Sequence, residues 1–280
     1  MDSNSRVRLP IQSFDRPGLR WVLAAGYSLA ARMSGDGPSS VRYDDGWVHR
    51  VGDTYLVELR PRRRVPELNE SWLRDYCGHL TVPRAGETVV DVGAGYGWEA
   101  LHFARQVGPT GRVVAIEAHP MLARMMKRTV ELNGLEQVTA LSYAISDRSQ
   151  NLFIEDDLAG HIGNAVSGAE GSGKIEVHAR SLDELGSELG LGIIDFLKMN
   201  IEGAEQFAIN GMTDLIKRTR VVAISCHDFK AERTGNEFFR TKAIVKDWLR
   251  NQGFVIVPRE SPLPWLRDQV NAYNPALWTP

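Results

Sequence analysis

Two short stretches carry residue types that can do chemistry. In the first, Thr88-Val89-Val90-Asp91-Val92-Gly93-Ala94-Gly95-Tyr96-Gly97-Trp98-Glu99, an apolar run ends in an acid and glycines follow at alternate positions. Downstream, Val113-Val114-Ala115-Ile116-Glu117 is a second apolar run ending in an acid. Glycines at a strand-to-helix turn permit backbone conformations that a Cβ would obstruct, and let the main chain approach a ligand. The helix that follows points free N–H groups at the same place. The spacing is Gly-x-Gly-x-Gly, not the Gly-x-Gly-x-x-Gly of dinucleotide enzymes, and Asp91 stands two residues ahead of the first glycine. An acid there repels a pyrophosphate and suits a cation. S-adenosylmethionine, with a sulfonium, an ammonium and no phosphate, meets that requirement. A nucleotide-dependent oxidoreductase, the alternative, is disfavoured on the same grounds, and a purely structural turn is the plainer one. Expected cofactor contacts are Asp91, Gly93, Ala94, Gly95, Tyr96, Gly97 and Glu99, then Glu117 for the ribose hydroxyls with Ala118 and His119 beside it. Ala144 and Ile145, at the end of a third strand, offer an edge for adenine.

The second stretch is Leu197-Lys198-Met199-Asn200-Ile201-Glu202-Gly203-Ala204-Glu205. Strand alternation puts Lys198, Asn200 and Glu202 on one side, roughly 6.6 Å apart, with Leu197, Met199 and Ile201 on the other. A strand's carboxyl end is where open α/β sheets bind ligands. A buried Lys–Glu pair bracing the turn remains the alternative.

The elements that must position these groups follow from the pattern of the whole chain. It has 280 residues, a formal net charge of −2 and 43% hydrophobic residues. That suits one large α/β domain with an accessory region. The charge gives no general attraction to nucleic acid or to an anionic membrane. Two cysteines, Cys77 and Cys226, make no disulfide framework, so a cytoplasmic protein is expected. The apolar run Trp21 to Ala31 is too short to span a bilayer and has no signal-peptide layout.

Residues 1–80 read as an accessory region capping the substrate side, and 81–280 as the main domain. The accessory region holds a helix over Leu19 to Met33, a Gly35-Asp36-Gly37-Pro38-Ser39-Ser40 linker and short strands within Val41 to Leu59. Arg60, Arg62, Arg63 and Arg64 form a basic knot, either a solvated turn or a rim steering an anionic substrate. Pro66 to Leu80 reads as helical. Beyond it, strands and helices alternate in a doubly wound α/β manner with a mostly parallel sheet. Extra strands are expected at Asn151 to Ile154 and Lys174 to Arg180, around a glycine-rich mobile loop from Ala159 to Gly173. A terminal antiparallel hairpin pairs Phe254 to Val257 with Val270 to Tyr273.

Gly86 to Gly97, Glu117-Ala118-His119-Pro120, Ser181-Leu182-Asp183-Glu184-Leu185 and Ile194 to Glu205 together resemble the FkbM-family methyltransferases, over about residues 80–257. The resemblance implies a class I, Rossmann-like methyltransferase fold, S-adenosylmethionine as donor, and O-methylation of a sugar or secondary-metabolite hydroxyl. One departure stands out: the family's Lys-x-Asp-x-Glu-Gly has Asn200 in place of its aspartate. His227, in Ser225-Cys226-His227-Asp228, matches a position where the family often has a histidine. It is the candidate general base, with Asn200 and Glu202 orienting the acceptor or the methionine moiety and Lys198 among the catalytic candidates. His161 and His178 are weaker choices.

Two alternatives remain open. Mg²⁺ held by Glu202, Asp228 and Asn200 would acidify a substrate hydroxyl, although the missing aspartate weakens an oxygen-ligand set. A chain that binds donor without catalysis, as a scaffold, is the other. The expected partner is a small-molecule acceptor, free or carried on a tether. The sequence specifies no oligomeric state.

Overall fold

The computed structural model describes residues 15–34, 38–69, 71–156, 166–167 and 173–279. The expected glycine-rich loop (except 166–167 and 173), Gly35-Asp36-Gly37 of the expected linker, and His161 lie outside them. The chain divides into two compact units, Met1–Glu67 and Leu68–Pro280.

In the first unit, α1 (Arg20–Ser34) precedes an antiparallel meander of β1 (Ser40–Tyr43), β2 (Trp47–Val51) and β3 (Thr54–Glu58). The two expected turns close it, at Asp45-Gly46 and at Gly52-Asp53. Trp47, Val48, Leu56 and Val57 form its core, and the fully buried His49 lies among them. The His49 Nε2 accepts from the Arg62 backbone N–H at 2.8 Å, and its Nδ1 lies 3.4 Å from Glu58. Burial holds the His49 pKa down at about 4, against the raising effect of backbone hydrogen bonds. Arg62 of the expected basic knot is bound to Glu58 and Glu67, at 2.9 Å each, so that position braces the unit and is no free cation.

The second unit begins earlier than the expected boundary near residue 80. The segment read as one helix from Pro66 is a single 3₁₀ turn (Pro66–Leu68) followed by the short α2 (Ser71–Tyr76). Leu73 of α2 and the adjacent Cys77 are buried in this unit's core. The main sheet then collects β4 (Thr88–Val92), α3 (Trp98–Val107), β5 (Arg112–Glu117), α4 (Pro120–Leu132) and β6 (Val138–Ser142). A side sheet follows, from β7 (Ala144–Ile145), β8 (Gln150–Glu155), β9 (Val166–Ser167) and β10 (Lys174–Arg180). The main sheet resumes with α5 (Leu182–Glu188), β11 (Ile194–Met199), α6 (Glu205–Ala208), β12 (Thr219–Ser225), α7 (Asp228–Thr234) and α8 (Lys242–Asn251). It ends with β13 (Val255–Val257), α9 (Pro264–Arg267) and β14 (Gln269–Tyr273).

The seven main strands lie in the order β13-β14-β12-β11-β4-β5-β6. From β12 to β6 they run parallel; β14 is antiparallel to both β12 and β13, which completes the expected terminal hairpin. The side sheet, β7-β10-β8-β9, contains both expected extra strands.

Strands β4, β5, β11 and β12 are almost wholly apolar because helices cover both faces of a parallel sheet. Alternate residues sort onto two cores. Val90, Val92, Leu197 and Met199 pack with Leu182 and Leu185 of α5 and Val245 and Leu249 of α8. Val89 and Phe196 pack with Phe103 and Val107 of α3, Met126 of α4 and Leu73 of α2. The winding reverses between β4 and β11, and the crevice above their carboxyl ends is where such sheets bind ligands.

Candidate active site

One cavity occupies that crevice. Gly93, Ala94, Gly95, Tyr96 and Glu99 line it from the glycine turn, Glu117, Ala118 and His119 from the end of β5, Ala144 and Ile145 from β7, and Asn200 and Glu202 beyond β11. Most of the expected cofactor and acceptor positions therefore meet in one place. The turn is shaped by contact. At Gly93 (φ 78°) a Cβ would stand 2.0 Å from the Asn200 carbonyl oxygen, so no side chain fits. At Gly95 (φ 54°) a Cβ would meet nothing within 4 Å, which leaves bare main chain bordering open space.

Glu117 is fixed by two backbone donors, the N–H of Gly95 and that of His119, each at 2.8 Å. Burial raises its pKa, and those two hydrogen bonds pull in the opposite direction. His119 caps α4, its Nδ1 accepting from the Met121 N–H at 3.2 Å, while its Nε2 lies 3.3 Å from Asp156.

Four expected positions do not line the cavity. Asp91 and Lys198 are paired across neighbouring strands by register, so their side chains share a face. The Lys198 Nζ lies 2.9 Å from the Asp91 Oδ1, donates to the Gly93 carbonyl at 2.8 Å and stands 4.0 Å from Glu99. Asp91 is 0% and Lys198 1% exposed. Burial alone would lower the lysine's pKa, but Asp91 and Glu99 drive it above the usual range. Lys198 thus braces the glycine turn from beneath. It is neither a group in the cleft nor the partner of Glu202. Asp91 likewise does not line the cavity; it is buried against the lysine that pairs with its charge. Gly97 serves packing: a Cβ there would press on Met126 at 3.1 Å, where α3 meets α4. The fourth position is His227.

His227 follows β12, with Nε2 3.3 Å from Glu202 and Nδ1 3.6 Å from Glu205. Burial works to lower its pKa, yet the two carboxylates prevail and raise it to about 9. At neutral pH it is an imidazolium, which cannot take a proton. Glu202 also pairs with Lys230, and His227 and Lys230 together overcome the raising effect of burial and depress its pKa. Its backbone has φ 58°, a left-handed conformation that disfavours any side chain by about 1 kcal/mol. Glu205 staples the turn beneath, accepting from the Ile201 and Gly203 N–H groups and from Thr241. For the alternative magnesium set, Asp228 accepts instead from the Lys242 N–H, and Glu202 is bound to His227 and Lys230. Among the described residues no group of three or more His, Cys, Asp or Glu side chains is placed to hold a metal ion.

Sequence reasoning missed several walls of the cavity: Trp98, Leu122, Tyr143, Ile154 and Ile201. Ile154 arrives from the side sheet, and no local pattern announces it. Tyr143 directly precedes Ala144 and could have been read with the adenine edge.

The cavity fits S-adenosylmethionine. Gly95 borders it with bare backbone, Ala144, Ile145 and Leu122 form an apolar wall, and Glu117 brings a carboxylate that would suit ribose hydroxyls. Against one lysine ammonium stand the carboxylates of Asp91, Glu99 and Glu117, so the cleft favours a cation although Asp91 itself is neutralised. Strand order, glycine turn and acidic strand ends define the class I methyltransferase fold. The sequence profile of the Methyltransferase FkbM domain matches residues 91–256, more than half of the chain. The chain belongs to the FkbM family of S-adenosylmethionine-dependent methyltransferases.

Among curated relatives, the AMB antimetabolite synthetase AmbE of Pseudomonas aeruginosa is 26% identical over 276 residues, covering 82% of this chain and 12% of that protein. The 2-O-methyltransferase NoeI of Sinorhizobium fredii is 29% identical over 150 residues, covering 48% of this chain and 60% of that one. The chain thus spans less than two thirds of either relative's length. The crystal structure of Methyltransferase FkbM from Methylobacillus flagellatus aligns with a TM-score of 0.44 at 17% identity, covering 73% of this chain and 50% of that chain. Among the described residues no helix is long and apolar enough to cross a membrane.

Proposed function

We propose that the chain methylates a hydroxyl group of a sugar or secondary metabolite, free or tethered to a carrier, with S-adenosylmethionine in the cavity described above. The carrying observation is that one cavity is lined both by the bare glycine turn with Glu117 and by Glu202. When bound, the sulfonium supplies a methyl group with a neutral thioether as leaving group. A hydroxyl is a weak nucleophile, so the protein must align it and receive its proton. Alignment alone is worth about 7 kcal/mol in favourable cases.

Glu202 is the proton acceptor in this reading. His227 and Lys230 keep it ionised and hold it still, which makes His227 a positioning residue and not the base. Asn200 orients the methionine moiety. A hydroxyl acceptor also accords with the name of the relative NoeI, a 2-O-methyltransferase.

The test is to incubate the purified chain with S-adenosylmethionine and a panel of sugar and natural-product alcohols, following S-adenosylhomocysteine and the methylated atom. Methyl on oxygen is the expected result. Methyl on nitrogen or carbon overturns the acceptor assignment. Tight binding of S-adenosylhomocysteine without turnover on any acceptor points to the scaffold instead.

A further inference from the structure

In α1 the usual sorting of a surface helix is inverted. Toward the meander it turns small and polar groups: Ala31 is buried, and the Ser28 hydroxyl accepts from the Val41 N–H at 2.8 Å. Arg20, on the same side, pairs with Asp15 and lies over the Tyr43 ring. The large apolar side chains point the other way. Trp21 is 72%, Leu29 63% and Met33 81% exposed, with Val22 beside them. Every exposed residue from Trp21 to Met33 except Arg32 is apolar or glycine. At about 100° per residue they fall within one half of the helix circumference, a continuous strip about 18 Å long. A single exposed apolar side chain needs no explanation, but the outer face of such a helix is ordinarily polar.

Cations border this strip and acids do not. No Asp or Glu occurs between Arg16 and Ser34. Arg16 and Arg32 are exposed. The Arg32 Nε donates to the Ser39 carbonyl, which leaves its charge without an acid partner among the described residues. Burial raises the Tyr27 pKa while the Arg63 cation works against it, so the basic knot lies within electrostatic reach of α1. Across Met1–Glu67 arginines outnumber Asp and Glu eleven to eight, although the whole chain carries −2.

Three kinds of occupant fit an apolar strip, and chemistry separates them. A second copy would bring the same cations against one another. A specific protein partner needs hydrogen bonds, about one per 100–200 Å² of interface, and the strip offers only the Trp21 indole and Arg32. A lipid surface needs none. Apolar side chains enter the acyl boundary, tryptophan sits at headgroup level, and arginines meet anionic headgroups.

We propose that this chain docks on an anionic lipid surface by laying the outer strip of α1 into it, with Arg16, Arg32 and the nearby Arg63 against the headgroups. The contact is peripheral, because the 15 residues of α1 are too few to cross the hydrocarbon core. Such docking does not depend on which atom is methylated.

Co-sedimentation of the full chain with vesicles tests this. At low salt it should bind mixed phosphatidylglycerol–phosphatidylcholine vesicles, and phosphatidylcholine alone at least about tenfold more weakly. Arg16→Gln combined with Arg32→Gln should weaken binding to the mixed vesicles by about tenfold or more. Leu29→Glu, at an exposed position, should do the same by placing a charge in the strip; should it not fold, Met33→Glu makes the same comparison. Brominated lipid should quench fluorescence in the parent chain that Trp21→Phe lacks. No binding to the mixed vesicles, undiminished binding in Leu29→Glu, or equal quenching in Trp21→Phe overturns the proposal. So does a parent chain that ignores vesicles and forms a dimer in sedimentation velocity that Leu29→Glu dissociates, since the strip is then an interface between copies.

Discussion

The proposed roles of Glu202 and His227 rest on the charges around them. A histidine at a strand's carboxyl end is the natural base near neutral pH, but two carboxylates hold this one as a cation up to about 9. The distinction is measurable in a pH–rate profile. With Glu202 as proton acceptor, kcat should be flat from about pH 7 to 9 and fall in acid as the carboxylate is protonated. With His227 as base, kcat would climb about tenfold per pH unit until about 9, since only the neutral imidazole can act. Glu202→Gln should lose on the order of 10²-fold in kcat while keeping its affinity for S-adenosylhomocysteine. A Glu202→Gln enzyme of near-parental kcat would remove the carboxylate from the mechanism.

The glycine turn joining β4 to α3 separates two uses of one residue type. Gly93 has no room because β11 runs on against it through Asn200. Gly93→Ala therefore combines a left-handed backbone with a main-chain clash, and should destabilise by several kcal/mol, on the order of 3. Urea unfolding measures it. Gly95 borders open space instead, so Gly95→Ala should destabilise only by about 1 kcal/mol while its methyl group would intrude into the cavity proposed to hold the donor. The pair should split: Gly93→Ala mainly loses stability, Gly95→Ala mainly affinity for S-adenosylhomocysteine. A Gly95→Ala chain with parental affinity would mean that the ligand does not pass over this turn.

Across the whole molecule, two buried histidines bias stability in opposite directions. His49, in the first unit, has a folded pKa of about 4, below the ordinary 6.5. Its contribution is present above pH 6.5 and is lost as pH falls toward 4, because the unfolded chain takes up the proton first. His227, in the second unit, has a folded pKa of about 9. Its contribution is present below 6.5 and is lost as pH rises through 9. Each effect is on the order of 3 kcal/mol at most. In a plot of Tm against pH, His49→Gln should flatten the acid limb and His227→Gln the alkaline limb. An unaltered limb in either variant removes that histidine from the account.

The sequence by itself determined the sheet, the glycine turn and the positions of Glu117, Asn200 and Glu202. These follow from alternation, apolar runs and turn residues, all of which are local along the chain. Only the tertiary structure decided which charged groups line the cavity. Asp91 and Lys198 lie far apart in sequence, and strand register alone sets them side by side, where each cancels the other. His227 is turned from base to cation by two carboxylates that follow another strand, and Tyr76 reaches Asn200 from a helix that precedes the main sheet. Charge and hydrogen bonding act through space with no regard to sequence distance, so a residue's type was legible but its protonation state and its partner were not.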